Sequence, residues 1–374
     1  MTTAVALVDG EHYPPVVRDA LAALPYEFVG AILVGGTEKL REARPDYGVP
    51  LVDGFDGAEV VVDLSDEPVL GPPARLAWAA RALAAGLAYV GADFRFDPPV
   101  FEPFDLPSVA VFGTGKRVGK TAVTGALARL LARDREVVVV AMGRGGPPEP
   151  ELVREPPGVA ELVRRSRAGL HAASDHLETA AVCGVPTIGC RRAGGGLAGA
   201  VFTSNVAEGA ALARALAPEV VVFDGSGASI PPIAADRRIL VVGRGDDEGA
   251  YLNPYRVLLA DAVVRIGVDA ELELQPLEPL EGRVAVFTAG ATDVSHLEAD
   301  VVHVSASLAH RELLRRELDA VDADTYLVEL KAAAIDVVAE HALAHGRRVV
   351  LGRNDLVGDG VDELLLGAAP AVVP

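Results

Sequence analysis

Residues 111–132 read VFGTGKRVGKTAVTGALARLLA, and whether this stretch folds as strand, anion-gripping loop and helix decides the fold around it. The general pattern for such a loop is G-x-x-x-x-G-K-[ST]. Gly119, Lys120 and Thr121 satisfy its second half, but the position five before Gly119 is Thr114, with Gly113 and Gly115 on either side. The surroundings are those the pattern requires: an apolar strand, SVAVFGT, precedes the loop and an Ala/Leu-rich helix, Lys120–Arg133, follows it. There the backbone amides of Gly115, Lys116, Arg117, Val118 and Gly119, continuing into Lys120, Thr121 and Ala122, wrap a phosphate chain. The helix start adds its partial positive charge. Lys120 reaches the β/γ oxygens and the Thr121 hydroxyl ligates Mg²⁺, so the cofactors expected are ATP and Mg²⁺. The plainer reading is a glycine-rich turn that merely starts a helix. It accounts less well for a strand, a GKT triplet and a helix in the right order.

The displaced glycine has a parallel. GTGKRVGKT resembles the G-T-x-x-x-V-G-K-T loop of dethiobiotin synthetase and related ATPases of the MinD/nitrogenase-iron-protein class, where the first glycine also sits one place early and is followed by threonine. A second marker is an acidic residue at the end of another strand, placed to hold the metal's shell. VVVFDGSGASIPP supplies Asp224 after four apolar residues, with Gly225 and Gly227 leaving room for a γ-phosphate. It is similar to the E-G-x-G-G stretch of dethiobiotin synthetase. A third element is AMGRGGPPEPE, after the strand at 136–142. Ligands of open parallel sheets bind at the carboxyl ends of strands, so Arg144 and Gly145 are expected to face the phosphates. Glu149 and Glu151 either touch Mg²⁺ or are simply solvated. Arg191 and Arg192, beside Gly194–Gly196, form a further candidate anion nest.

Composition limits the rest. A chain of 374 residues is too long for one ordinary core. The net charge of −19 argues against an electrostatic grip on nucleic acid or an anionic membrane. It leaves open an anionic small molecule in a locally positive pocket. The stretch ARLAWAARALAAGLAYVGA carries Arg75 and Arg81 and reads as a buried or amphipathic helix, and the N-terminus lacks the pattern of a secretion signal. Two cysteines, Cys183 and Cys190, suit a reducing cytoplasm and are read as core residues. Lysines occur only at 39, 116, 120 and 331, and two of them share one loop, which suggests positions needing a compact point charge.

Short β-rich runs alternate with helical stretches almost throughout, which predicts an α/β protein with mostly parallel sheets. We read an N-terminal Rossmann-like α/β domain over 1–105, a P-loop ATPase domain over 106–270 and a C-terminal α/β region over 271–374. The Pro-rich DPPVFEPFDLP at 97–107 is the linker between the first two.

Five stretches point to one family. LVDGEHYPPVV, VGGTEKL, FGTGKRVGKTAV, VVVVAMGRGGPPEPE and YLVELKAAAIDVV together resemble the cyclic 2,3-diphosphoglycerate synthetases over nearly the whole chain. The resemblance implies an ATP-dependent ligase that closes 2,3-bisphosphoglycerate into a ring through an intramolecular phosphoanhydride, releasing ADP and phosphate. It also implies a cytoplasmic enzyme, and the class suggests a homodimer. Gathering so many negative charges needs Mg²⁺ and several cations, for which Lys116, Arg117, Lys120 and Arg144 are nearest by motif. No general base is needed, because the attacking phosphate is already an anion. Asp9, Glu11 and His12 follow the first strand and are either a substrate contact or a strand-end turn with a satisfied histidine. Lys331, at a strand-to-helix junction, either neutralises a phosphate or is a surface lysine. The archaeal members are longer, so a terminal segment is expected to be missing here. Rivals on the same scaffold are a kinase making 2,3-bisphosphoglycerate and a dethiobiotin-type ligase. A nucleotide-driven switch or metallochaperone lacks its usual marks, a lysine where Gly115 stands and a Cys or His metal pair.

Overall fold

In the computed structural model, which describes residues 1–40, 44–173 and 175–371, the alternating pattern resolves into largely parallel sheets. The chain divides into two units. The first comprises Met1–Val100 with Gly196–Ala200 and Asp247–Leu259; the second takes Phe101–Gly195, Val201–Asp246 and Ala260–Pro374.

The first unit holds β1 (Thr2–Val8), α1 (Pro14–Ala23), β2 (Tyr26–Leu33), β3 (Val60–Asp63), α2 (Pro72–Ala84), β4 (Ala88–Val90) and β5 (Arg95–Phe96). Its strand order is β2-β1-β3-β4-β5, with only the last pair antiparallel. Prolines at the first turns of α1 and α2 pre-set the backbone angle and forfeit no hydrogen bond there. The alanine-rich stretch that includes α2 buries Ala79, Ala80, Ala82 and Leu83 and leaves Arg81 outside, an amphipathic helix as its arginines predict. Among the described residues no helix is long and apolar enough to cross a membrane.

The second unit begins inside the proline-rich joint. Strand β6 (Glu102–Pro103) pairs with Ile233–Ala234, the Glu102 amide donates to Pro232 O at 2.9 Å, and Phe104 packs edge-on against Phe223. The linker expected over 97–107 is therefore built into structure from residue 101 on, because its aromatic residue finds a core position. The main sheet uses β7 (Ser108–Gly113), β8 (Val137–Gly143), β9 (Glu151–Val153), β10 (Thr187–Ala193), β11 (Thr203–Ser204), β12 (Val220–Asp224), β13 (Ile233–Ala234, off the sheet), β14 (Arg237–Val242) and β15 (Ala262–Arg265). Helices α3 (Lys120–Leu131), α4 (Val159–Arg167), α5 (Asp175–Cys183) and α6 (Val206–Leu216) connect them. The order is β11-β10-β8-β12-β7-β14-β15, with β9 alongside β10. Strand β7 is buried along its whole length between β12 and β14, as expected of a central parallel strand covered on both faces.

A second sheet in this unit contains β16 (Glu271–Pro276), β17 (Arg283–Phe287), β18 (Asp300–Ser305), β19 (Thr325–Glu329) and β20 (Arg348–Val357), ordered β16-β20-β19-β17-β18. Strand β20 and the helix Val361–Gly367 pack on α3. That explains why α3 is buried around almost its whole circumference and needs alanine and Gly125 on its flanks. A side chain at Gly125 would meet Val182 Cγ1 at 2.5 Å. Cys183 and Cys190 are both buried free thiols, as core residues should be.

Candidate active site

The loop at the carboxyl end of β7 explains its own displaced glycine. A Cβ on Gly113 would lie 2.6 Å from Val118 Cγ2 and 3.1 Å from Lys120 Cγ, so the position beneath the loop must be glycine. Thr114 has other work. Its amide donates to Val241 O at 3.1 Å and its hydroxyl to Asp246, tying the loop to β14 and the turn after it. Arg117 and Gly119 take left-handed backbone angles, φ +63° and +95°, which turn successive amides toward one concavity. From Gly115 to Ala122, no backbone amide has a hydrogen-bond partner among the described residues, and α3 has no side-chain cap. Lys120 Nζ curls back to donate to Gly115 O at 2.7 Å. Lys116 and Arg117 are exposed on the rim.

Asp224 ends β12, beside β7. It is buried, and its two oxygens accept from Thr124 Oγ1 at 3.0 Å and Thr179 Oγ1 at 3.4 Å. Burial pushes this carboxyl up to about 7, against the pull of Lys120 and the hydroxyls. Burial likewise pulls Lys120 down to about 8, while Asp224 and Asp175 work to keep it charged. The folded chain thus holds a cation and an anion out of water at its own cost, the arrangement expected where a ligand supplies the missing charge. Thr121 sits at the helix start with an unengaged hydroxyl among the described residues. Its hydroxyl and the Asp224 carboxylate are hard oxygen donors and fit Mg²⁺.

Two arginines converge next to this pair. A Cβ on Gly227 would lie 3.2 Å from Arg192 Nη2 and 3.3 Å from Arg144 Nη2. Arg192 is fixed by donating to Gly194 O and Ser226 O, both at 2.8 Å, and its Nε is buried without a partner among the described residues. Burial first, then Arg144, depress its proton affinity. Arg144 and Gly145 are exposed at the end of β8. The structure does not pair Arg191 with Arg192, because neighbours on a strand face opposite ways; the Arg191 side chain is exposed. Glu149 is also exposed and contacts neither Thr121 nor Asp224. Glu151, partly exposed, makes a bidentate pair with Arg165, at 2.7 and 3.0 Å.

The carboxylate that does face the site is Asp175, at the start of α5. It accepts from the Arg144 amide at 3.3 Å and acts electrostatically on Lys120, Asp224 and Arg192. One turn on, Glu178 meets Lys331, which arrives from the end of β19. Lys331 is no surface lysine. It lies between Glu178 Oε1 at 3.3 Å and Glu329 Oε1 at 2.8 Å, near enough to Lys120 to lower that lysine's proton affinity. Asp175, Glu178 and Thr179 lie at spacings i, i+3 and i+4, one face of a helix. That was the signal in the sequence.

In the first unit Asp9 is fully buried at the end of β1. One oxygen accepts from the amides of Glu11 and His12 and lies 2.8 Å from His12 Nδ1; the other accepts from the Asp66 amide at 2.7 Å. Burial opposes its charge, but these donors outweigh burial and hold the carboxyl below its usual range. Glu11 is paired with Lys39, and His12 is half-buried. Asp9 is thus a latch between the turns after β1 and β3. Asp9→Ala leaves three amides without it and is expected to lower unfolding free energy by about 3 kcal/mol. A denaturant melt showing a loss well under 1 kcal/mol would contradict that role.

Three family models match the chain: the cyclic 2,3-diphosphoglycerate synthetase N-terminal domain over residues 3–97, its P-loop domain over 108–292 and its C-terminal domain over 276–355. Among curated relatives, a protein named cyclic 2,3-diphosphoglycerate synthetase from Rubrobacter xylanophilus is 44% identical, the alignment covering 98% of this chain and 96% of the relative. Proteins of the same name are 39% identical in Pyrococcus abyssi, covering 94% of each chain, and 37% identical in Methanothermobacter thermautotrophicus, covering 99% and 96%. The Rubrobacter alignment runs over 427 positions against 374 residues here.

Proposed function

The chain belongs to the cyclic 2,3-diphosphoglycerate synthetase family, and from that premise and the geometry of the loop we propose that it uses ATP and Mg²⁺ to close 2,3-bisphosphoglycerate into its cyclic anhydride, releasing ADP and phosphate. The observation that carries this reading is the run of unpartnered amides from Gly115 to Ala122 curled over Lys120, with Asp224 beside it and two arginine forks converging next door.

The chemistry balances with two displacements. An oxygen of one substrate phosphate attacks the γ-phosphorus of ATP, and ADP leaves. An oxygen of the second phosphate then attacks the inner phosphorus of the new pyrophosphoryl group, the P–O bond to the outer phosphate breaks, and the ring closes. Both steps need little from the protein beyond alignment and charge. Lys120, Lys116, Arg117 and the loop amides hold the nucleotide's phosphates. Arg192, rigid through its two carbonyl contacts, and Arg144 hold the substrate. The arrival of polyanions restores full charge to Lys120, which burial has weakened.

Thr121 and Asp224 would hold Mg²⁺, which supplies charge neutralisation between phosphate oxygens. Thr124 keeps the Asp224 carboxylate aimed. Thr124→Val, of nearly equal volume, is expected to raise the Mg²⁺ concentration for half-maximal activity by about tenfold. An unchanged Mg²⁺ titration would remove Thr124 from the site.

Phosphorus NMR of the protein with ATP, Mg²⁺ and 2,3-bisphosphoglycerate tests the whole reading. Two monoester signals are expected to give way to coupled anhydride signals as ADP and phosphate accumulate. ADP with only new monoester signals from a phosphoglycerate would make the protein a kinase instead.

A further inference from the structure

Lys331 is held by two carboxyl groups with little exposure to water, and the two are not equivalent. Glu329 accepts from three donors: Lys331 Nζ at 2.8 Å, Asn354 Nδ2 at 2.8 Å and the Ala289 amide at 2.8 Å. Glu178 has one close partner among the described residues, Lys331, at 3.3 Å. One positive charge thus serves two acids, and the acid with a single contact has the weaker claim. The backbone just after the lysine is unusual. Ala332 takes a left-handed φ of +45°, costly for a side chain with a Cβ, and a π-helical turn, Ala334–Ala339, follows. Such strain persists only where the surrounding structure enforces it.

Resting on the function proposed above and deepening it, we propose that Glu178 is a displaceable counter-ion. It holds Lys331 until a substrate phosphate takes the lysine over, whereupon Glu178 leaves the pair as the neutral acid, its proton drawn from the buffer. Glu329 stays ionised throughout and keeps Lys331 aligned, so Glu178 and Glu329 are positioning residues.

The surroundings support the exchange. Glu178 faces Lys331 and Glu329 from the second sheet, Asp175 from the preceding turn of its own helix and the Cys183 thiol from the following one. Burial raises its carboxyl to about 7 even with Lys331 beside it. Losing that cation and gaining an anionic neighbour both move it further up, so binding raises the protonated fraction of the group. Glu329 is held below the usual range: burial opposes its charge, but Lys331, the Ala289 amide and Asn354 outweigh burial.

The test is titration calorimetry with 2,3-bisphosphoglycerate at pH 8 in two buffers of different ionisation enthalpy, with ADP and Mg²⁺ but no ATP present. The wild type is expected to take up a measurable fraction of a proton per substrate bound, as a displaced carboxyl that becomes protonated requires. Glu178→Gln should abolish the uptake and bind several-fold more tightly, because Lys331 is already free; a merely structural lesion would not tighten binding. Glu329→Gln should weaken binding yet keep the uptake. Binding by the wild type without proton uptake, or uptake persisting in Glu178→Gln, overturns the exchange and leaves the substrate assignment standing. No binding at all to the wild type defeats both.

Discussion

Replacing Lys120 by alanine is expected to lower ATP turnover by about a thousandfold or more while the protein stays folded. The lysine curls back inside the loop, donating to Gly115 O at 2.7 Å and almost out of contact with water. The amides and the helix end remain in the variant, but the charge that follows the migrating phosphoryl group is gone. Arginine is expected to be no substitute, since a planar fork does not reproduce a buried point charge that curls back to the Gly115 carbonyl. The fold should tolerate the loss, because burial already penalises the ammonium and Asp224, left without it, simply takes a proton. ADP release measured alongside a thermal melt separates the two effects. Turnover within tenfold of wild type in a folded Lys120→Ala protein would mean that nucleotide is gripped elsewhere.

The parts of this site carried on one continuous stretch of chain were legible. An apolar run, a GKT triplet and a helix follow one another in sequence, and Asp224 and Arg144 each close a run of valines, so strand-end placement could be inferred without knowing the neighbours. The partners that aim Asp224 were not legible. Thr124 is 100 residues from it and Thr179 is 45 away, and nothing local says that α5 lies against α3. Asp175 and Glu178 were missed for the same reason, since ETAAV reads as an ordinary buried helix face until Lys331 arrives opposite it. Arg191 and Arg192 separate for a different reason, because strand alternation sends the two side chains to opposite faces. The proline-rich joint does mark the boundary, since the first unit ends at Val100 and the matched N-terminal and P-loop domains meet across 97–108; what it did not show is that Phe104 packs on Phe223 and draws half of that segment into the second unit.

Asp224→Asn separates catalysis from stability in the opposite sense to an ordinary core mutation. Asparagine keeps the size of the side chain and accepts from a hydroxyl, but it has no charge for Mg²⁺, so turnover is expected to fall by about 10²–10³-fold. Stability should rise. The wild-type carboxyl is raised from about 3.8 to about 7 in the folded chain. A raised group contributes stability that is complete below its unfolded value and is lost as pH climbs through the folded value. Unfolding free energy of the ligand-free wild type should therefore decline between about pH 4 and pH 7 on this account, and Asp224→Asn should flatten that part of the profile. Above pH 7 the variant is expected to be more stable by about 1–4 kcal/mol, the upper figure being the full shift and the lower allowing for lost attraction to Lys120. Melting temperature against pH, wild type beside variant, reads this directly. A variant that is both less stable at pH 8 and still active would make Asp224 a structural acid and remove it from the proposed Mg²⁺ site, because a carboxylate that holds the fold together has no need of a ligand to offset its burial.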